Sequence, residues 1–484
     1  MKKRCMFICF VALIVFTSSV LLAEDAPQKG FKVTEKTTLD VGIHITPEYD
    51  SNIKKVSKDN VTTETTTTKK DDGSESSTTK VIKRGKDQVV AAFALHLSPS
   101  LRIKFDDSNT TLGFSVLFDY TPYIGKDTDG YYEFNLRSDL LGEFNKSGLV
   151  MFDFRDTLSR SSTPDADDLD QKHNNLLNAF ALGLAFKNAE DILYGKIKFG
   201  VDVNYLEESK DKKVYKDYNY YSLLGDFFGR WKFLPKTMAF LSLAARYQNY
   251  YESSLPDAWS VPVNAYIGVM GQVSPHFSGK ISAGYSVNAG KSVKHDYNAN
   301  AEIIFKYNNT GALLGYLRSM RPSSYYRYNS SHKLYFTFKQ KFAEKFLAAV
   351  NLNYSIIDYG KNISYNNKGT YKDNVTDKVY DEKELTGWYV NKDDDPIFYI
   401  PSDNRRDHFV VFTPSLGYSI LPWLGLKLSY NLEYKKAVTK EGKDTYFQIS
   451  QITRKDGDKT VKTTTETHYN YMDHRVMLAI ILDY

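Results

Sequence analysis

Apolar and polar positions alternate along most of the chain with a period of two residues. In the stretch 39–46 (LDVGIHIT) every odd position is apolar, and in the stretch 112–120 (LGFSVLFDY) every even position is apolar. This period is typical of β-strands that meet an apolar phase on one face. We count eighteen such runs, which begin near Leu39, Val89, Leu112, Tyr132, Val150, Leu176, Leu193, Tyr218, Ala239, Val261, Phe277, Tyr297, Gly311, Lys333, Phe346, His408, Leu424 and Tyr469.

The connections between these runs alternate strictly between short and long. The short ones, rich in turn-forming residues, are 106–109, 145–148, 187–191, 234–237, 274–276, 308–310, 341–345 and 421–423. The largest long ones are 50–87, 358–407 and 435–468. Bacterial outer-membrane barrels combine an even strand number with short periplasmic turns and long extracellular loops. The sequence therefore predicts an all-β fold, a transmembrane antiparallel up-and-down β-barrel of about eighteen strands, with sixteen as the alternative.

The N-terminus predicts export from the cytoplasm. Basic residues at positions 2–4 precede an apolar run at 5–22 and the small residue Ala23, which is the pattern of a cleaved signal peptide. We predict removal of residues 1–23, so that 24–484 forms a barrel in the bacterial outer membrane; an uncleaved membrane anchor is the alternative. Both cysteines lie inside the removed segment, which excludes disulfides and thiolate metal sites from the mature chain.

One stretch of the first long loop has a low-complexity composition. Residues 61–70 (VTTETTTTKK) and the following DDGSESSTTK are polar and cannot bury a core of their own. We expect a mobile, solvated outer loop, with surface adhesion as an alternative role.

Charged residues fall on the polar parity of the strands. A charge that faces lipid at mid-depth costs about 2–4 kcal/mol for Arg or Lys, so these side chains are expected to face a hydrated lumen. The predicted pore-lining residues are Arg102, Lys104, Glu133, Arg137, Asp139, Asp153, Arg155, Lys196, Lys198, Asp202, Asp226, Arg230, Lys232, Arg246, Lys280, Glu302, Lys427 and Glu433. Basic residues outnumber acidic ones in this set, which favours weak anion selectivity. The alternative is that charges pair across neighbouring strands and leave no net field.

The third outer loop, around residues 162–175, carries four carboxylates, at Asp165, Asp167, Asp168 and Asp170. Folded inward, they would form an acidic constriction; folded outward, they could bind divalent cations that bridge lipopolysaccharide. A plain solvated loop is the third alternative, and it applies equally to 393–395.

The sequence contains no G-x-S-x-G, P-loop, H-E-x-x-H or dinucleotide motif. We therefore predict that the protein is not an enzyme and needs no cofactor or metal. His468 and His474 near the last strand leave a weaker alternative, an outer-membrane hydrolase.

The last ten residues, RVMLAIILDY, place Val476, Leu478, Ile480, Leu482 and Tyr484 on one face. This pattern resembles the C-terminal signal by which the barrel-assembly machinery recognises outer-membrane barrels, although that signal more often ends in Phe. Hairpins such as LSPSLRIKF and ILPWLGLKLSYNLEY resemble the strand-turn-strand units of porin-like barrels, including the β-barrel porin 2 group. The resemblance implies a Gram-negative outer-membrane barrel of porin type.

These observations together predict a porin-like channel for passive diffusion of small hydrophilic solutes. The alternative is a surface barrel that acts as an adhesin or interaction protein through its long loops. The expected partners are outer-membrane lipid and lipopolysaccharide, the barrel-assembly machinery and small hydrophilic solutes. A homotrimer is an open alternative, and no nucleic acid is expected.

Overall fold

Within the described residues, eighteen long strands of the computed structural model form one antiparallel barrel. The structure describes residues 31–483 except 54, 56, 70–73, 88, 126–131, 162–173, 208–218, 252–258, 291–292, 322–328, 360–370, 373–378, 381–387, 391–395, 399–404, 440–446 and 457–458. The barrel strands are β1 (Thr37–Asp50), β2 (Ala92–Asp106), β3 (Thr110–Ile124), β4 (Tyr132–Phe144), β5 (Val150–Ser161), β6 (Asn174–Lys187), β7 (Leu193–Glu207), β8 (Tyr220–Leu234), β9 (Thr237–Asn249), β10 (Trp259–Gln272), β11 (Phe277–Gly290), β12 (Lys294–Tyr307), β13 (Thr310–Arg321), β14 (Asn329–Phe342), β15 (Phe346–Tyr359), β16 (Arg405–Leu421), β17 (Leu424–Thr439) and β18 (Tyr471–Asp483).

Each strand pairs with its neighbour in the chain, and the last strand closes the barrel against the first. β18 pairs with β1, with Leu482 opposite Ile43 and Ile480 opposite Ile45. Every predicted run corresponds to one strand, which confirms the predicted fold class and excludes the sixteen-strand alternative. A short strand, Phe31–Thr34, precedes β1 and folds back on it, with Phe31 opposite Leu39.

The short connections have the backbone conformations that their residues favour. Asn145, Asp191 and Asn308 adopt positive φ values of 57°, 50° and 47° in three of the turns. Asn and Asp tolerate this left-handed region better than other residues with a Cβ. All eight short connections lie at one end of the barrel, the short-turn end, because the strands are antiparallel. The other connections leave from the opposite, long-loop end, and all of them are longer than the short turns except 291–293, which has three residues.

Two of the long connections build a sheet of their own at the long-loop end. Four strands pair in the order Phe447–Asp456, Lys459–His468, Val61–Lys69 and Glu75–Arg84, and we call them the loop sheet. The expectation of a mobile loop at 61–80 is wrong where these strands lie. Thr is a strong strand former, and Thr65 hydrogen-bonds Thr79 across the pair at 2.9 Å.

Other structure in the long connections is short. A 3-10 turn covers Gly85–Asp87, and two small hairpins pair Tyr371–Lys372 with Val379–Tyr380 and Trp388–Val390 with Pro396–Phe398. Among the described residues, no helix has the length and apolar character needed to cross a membrane.

One face of the barrel wall is apolar and exposed. Side chains in the middle of strands stand out furthest, with Ile267 at 68%, Ile281 at 66% and Phe199 at 65% exposure. A soluble protein rarely exposes a continuous apolar surface of this kind, whereas a membrane barrel turns it toward the hydrocarbon. We call this face the outer face and the opposite one the inner face.

Candidate pore lining

The strand register places all eighteen predicted pore-lining residues on the inner face. Residues that lie directly opposite one another in an antiparallel pair point to the same side of the sheet. Lys198 lies opposite Asp226, and Lys280 lies opposite Glu302. The apolar residues that alternate with these charged residues along each strand, such as Phe199 and Ile281, are exposed on the outer face.

Inner-face side chains reach one another across an intervening strand. Lys196 Nζ on β7 lies 2.7 Å from Asp153 Oδ2 on β5. Gly183 of β6 lies between them, and a Cβ on this glycine would come within 2.4 Å of the carboxylate. Likewise, Tyr335 of β14 donates its hydroxyl to Glu302 of β12 at 2.7 Å across Gly315 of β13. Convergence of this kind is expected on the concave face of a closed sheet, with small residues leaving the room.

Most of the predicted basic residues form ion pairs along the wall. The pairs are Lys104 with Asp106, Arg137 and Arg155 with Asp139, Lys196 with Asp153, Arg246 with Asp202, and Arg230 and Lys232 with Asp191. Of the two predicted acidic residues nearest the long-loop end, Glu133 accepts a hydrogen bond from Tyr123 at 3.0 Å, and Glu433 joins a larger network. Lateral pairing therefore compensates much of the charge on the strands β2 to β9.

Two of these ion pairs share Asp191, which lies outside the membrane span in the turn between β6 and β7. Lys232 and Arg230 both donate to Asp191, a turn residue. The hydrogen bond from Lys232 is the main reason that the pKa of Asp191 lies below its usual range, and the Arg230 guanidinium adds to it.

The remaining predicted residues have no ion-pair partner within the described part of the chain. Arg102 lies opposite Asp40 and Lys198 opposite Asp226, so each has an acidic neighbour in the register. Lys427 differs, because its opposite residues are Gly417 and Ala479.

A charge network covers the inner face at the long-loop end. Glu433 accepts hydrogen bonds from Lys55 at 2.7 Å and from Arg475 at 3.2 Å. Arg475 also donates to Asp473 at 2.8 Å and lies 3.4 Å from Asp50. Lys55 belongs to the first long connection, so this network ties that connection to the barrel wall. Of its five members, only Glu433 belongs to the predicted set.

A second group nearby surrounds a fully buried arginine. Arg405 donates to Asp407 through Nε at 2.7 Å and through Nη2 at 2.6 Å, and Lys435 lies 3.2 Å from the same carboxylate. The guanidinium carbon lies 4.4 Å from the ring centre of Tyr359 and 3.8 Å from that of Tyr469. We call this group the Arg405 cluster.

Loop boundaries explain why the sequence did not identify these residues. The predicted loops 358–407 and 435–468 include Arg405, Asp407 and Lys435, but β16 already begins at Arg405 and β17 continues to Thr439. Polar residues at strand ends lack the apolar neighbours that reveal alternation, so their parity is visible only in the register. Asp473 and Arg475 do alternate with Val476 and Leu478, and that signal was available.

A repeated contact on the outer face was also missed. In four consecutive hairpins, a Tyr hydroxyl hydrogen-bonds His Nδ1 on the following strand, and the His lies two residues beyond the Tyr's direct partner toward the long-loop end. The pairs are Tyr285 with His295, Tyr316 with His332, Tyr354 with His408 and Tyr430 with His474, at 2.6–2.9 Å. Amphipathic rings favour the boundary between hydrocarbon and water. Nothing in the linear sequence marks these pairs, whose spacing varies with loop length.

These contacts bear on the hydrolase alternative. His474 points to the outer face, where Tyr430 engages its ring. His468 belongs to the loop sheet and its backbone N–H donates to Asn60 at 2.7 Å. The two histidines therefore have different hydrogen-bond partners in these contacts.

Several predicted positions lie outside the described residues. They are the signal peptide 1–23, the carboxylates Asp165, Asp167, Asp168 and Asp170, the segment 393–395, and Tyr484. The other four residues of the predicted assembly signal lie on β18: Val476 and Leu478 are each 45% exposed, and Ile480 and Leu482 meet β1.

Comparison with solved structures finds large outer-membrane barrels. The FrpB iron transporter from Neisseria meningitidis is 9% identical over 89% of this chain and 82% of its own, with a TM-score of 0.42. The siderophore receptor PirA from Pseudomonas aeruginosa is 7% identical over 92% and 80%, with a TM-score of 0.40. OccAB4 from Acinetobacter baumannii is 11% identical over 93% and 99%, with a TM-score of 0.39. No protein-family model matches the sequence, and no curated protein matches it.

At this level of similarity the neighbours do not identify a function for this chain. The assignment of architecture rests on the chain's own residues: a closed barrel of eighteen strands, apolar outside and charged inside. The protein is a β-barrel of the Gram-negative outer-membrane type.

Proposed function

We propose that the protein is an outer-membrane channel through which small hydrophilic solutes diffuse passively. The observation that carries this proposal is the inner face, which bears charged side chains in the middle of strands where a filled core would be apolar. Arg155 and Arg246 keep 55% and 37% of their side-chain surface exposed although both form ion pairs. Barrels of this strand number are wide enough to enclose an aqueous path.

In this proposal the short turns face the periplasm and the long loops face outward, as in other barrels of this type. Residues 1–23 direct export, and the outer face contacts lipid and lipopolysaccharide. The charge networks lie at the long-loop end, where Asp407 and Asp473 are completely buried.

Planar-bilayer recording of the purified full chain tests this proposal. Discrete conductance steps of uniform size are expected, with currents that rise linearly with salt concentration. A barrel that inserts into the bilayer, as judged by its resistance to added protease, and yet passes no current would overturn it.

The loop sheet favours a second candidate, a surface that binds an external partner. Its strand Glu75–Arg84 is exposed along its whole length, and its side chains are mostly hydroxyl-bearing or basic. Deletion of 61–84 would abolish partner binding and leave conductance unchanged in this case. The same deletion would have no binding phenotype if the barrel served transport alone.

A further inference from the structure

Lysines without acidic partners gather on one sector of the inner wall, near the short-turn end. Lys339 and Lys341 lie on β14, and Lys427 lies on β17. Within the described residues, none of the three has a carboxylate within 4.0 Å. The strands β2 to β9 differ in this respect, because their lysines near the short-turn end, Lys104, Lys196 and Lys232, all form ion pairs.

The register shows that the three lysines face one another across two strands. Lys341 lies opposite Leu347, Leu347 opposite Gly417, and Gly417 opposite Lys427. In the next row, Lys339 lies opposite Ala349, and Ala349 opposite Ser415. Neighbouring strands are about 4.8 Å apart, so the backbones of β14 and β17 are separated by a gap that lysine side chains can close from both sides.

The floor of this gap holds one large side chain, that of Leu347, which is exposed, and otherwise small residues. Gly417 has no side chain, and a Cβ there would meet nothing nearer than 3.7 Å. Ala349 and Ser415 are also small, and Ser415 and Ser429 lie opposite one another and supply hydroxyl groups. Beside Leu347, these small residues leave room for a bound group of a few atoms.

Glu344 lies in the turn after β14, three residues from Lys341, and two inner-face carboxylates on nearby strands have other partners. Glu302 on β12 accepts a hydrogen bond from Tyr335 at 2.7 Å, and Asp483 on β18 contacts His44 at 2.9 Å. Lys339 and Lys427 carry like charges on facing sides of the gap, and like charges repel each other. An anion between them would relieve this repulsion and gain charge-assisted hydrogen bonds.

We propose that Lys339, Lys341 and Lys427 form a binding site for a small oxyanion, of phosphate or carboxylate chemistry, on the inner wall. The inference rests on the proposed channel function and deepens it, since it makes such oxyanions the preferred solutes. A dianion fits better than chloride because it can meet ammonium groups from both sides of the gap at once.

The test uses the full chain in planar bilayers, with inorganic phosphate, succinate and chloride as probes. Phosphate at constant ionic strength is expected to reduce the chloride current in a saturable manner. In the triple variant Lys339→Gln, Lys341→Gln, Lys427→Gln, the half-blocking phosphate concentration rises about tenfold or more. Succinate in place of phosphate shows whether phosphate or carboxylate is the better ligand.

A matched control removes three exposed lysines at the long-loop end outside the loop sheet, as Lys58→Gln, Lys86→Gln, Lys436→Gln. It changes net charge equally at the other end of the barrel and is expected to keep the wild-type block. An equal loss of block in both triple variants, or no phosphate block in the wild-type channel, would overturn the inference.

Phosphate titration by calorimetry in detergent separates this inference from the channel proposal. Binding that the pore variant loses and the control keeps supports the site even if no current is recorded, in which case the channel proposal alone fails. If the protein conducts but shows no lysine-dependent phosphate binding, the channel proposal stands and the proposed oxyanion site is refuted. The pore variant breaks no ion pair among the described residues, so it should retain wild-type resistance to denaturation by detergent.

Discussion

Lys196 contacts Asp153 at 2.7 Å although β6 separates their strands, and Gly183 is the residue over which the pair forms. The pair spans three strands. It connects β5 directly to β7, whose backbones each hydrogen-bond to β6 and not to each other. The Asp153 carboxylate occupies the place of a side chain at position 183, so a residue larger than glycine would force the carboxylate to move.

Gly183→Ala should therefore destabilise the barrel. The new methyl group displaces the Asp153 carboxylate and breaks its pair with Lys196, for a loss of about 1–3 kcal/mol in the free energy of unfolding. Urea unfolding in detergent micelles measures the difference. Gly195→Ala is the control, since its Cβ meets nothing within 4 Å, and its stability should stay within about 1 kcal/mol of wild type. Equal losses in both variants would contradict the role of Gly183.

Neighbouring arginines should differ widely in their contribution to stability. Arg405 is fully buried in the Arg405 cluster, whereas Arg406 pairs with Asp358 and keeps 35% of its side-chain surface exposed. Arg405→Met leaves the buried Asp407 carboxylate with Lys435 as its one cationic neighbour among the described residues and the Tyr359 hydroxyl as a donor, and should cost about 3–5 kcal/mol. Arg406→Met should cost at most about 1 kcal/mol. Thermal unfolding followed by circular dichroism compares the two, and similar midpoints would refute the distinction.

The two faces of β7 should differ in how well they tolerate a charged side chain. Phe199→Arg places a guanidinium on the outer face in the middle of the strand and should cost about 2–4 kcal/mol in lipid bilayers. Lys198→Arg, at the adjacent inner position, should fold with wild-type stability. Refolding yield into vesicles gives the readout. Tolerance of arginine at position 199 would mean that this face does not contact hydrocarbon.

The loop sheet should be accessible to a designed disulfide. Thr66 and Val461 lie directly opposite one another, and opposite residues in an antiparallel pair fall within disulfide range. Oxidation of Thr66→Cys, Val461→Cys should give an intramolecular bond that shifts the band on non-reducing gels. In the control pair Thr78→Cys, Val461→Cys, a strand intervenes, and no bond should form. Efficient bonding of the control pair would contradict the strand order.

Asp191 should titrate below an ordinary aspartate. Its pKa is lowered in the folded barrel, chiefly by the hydrogen bond from Lys232. Its stabilising effect is therefore present above the unfolded pKa of about 3.9 and is lost as pH falls through the folded pKa. The effect on stability is small, under about 1 kcal/mol, because the carboxylate is 40% exposed. Carboxyl NMR titration should show a midpoint below 3.9 that rises in Lys232→Gln; an unchanged midpoint would exclude this cause.

The alternation of apolar and polar residues determined strand number, strand order and the face on which each charge lies. This local information suffices because each strand of the barrel must turn one parity to lipid and the other to the interior, and because each hairpin joins strands adjacent in sequence. The short turns carried their own signal in Asn145, Asp191 and Asn308, whose side chains tolerate the left-handed backbone.

Only the closed structure decided which charges meet. Lys196 reaches Asp153 over Gly183, Arg475 on the last strand reaches Asp50 on the first, and Thr66 pairs with Val461 across most of the sequence. These contacts depend on register, curvature and closure, which bring distant residues to within a few ångströms. Alternation along the chain specifies the direction of a side chain, whereas its partner is specified by the geometry of the whole barrel.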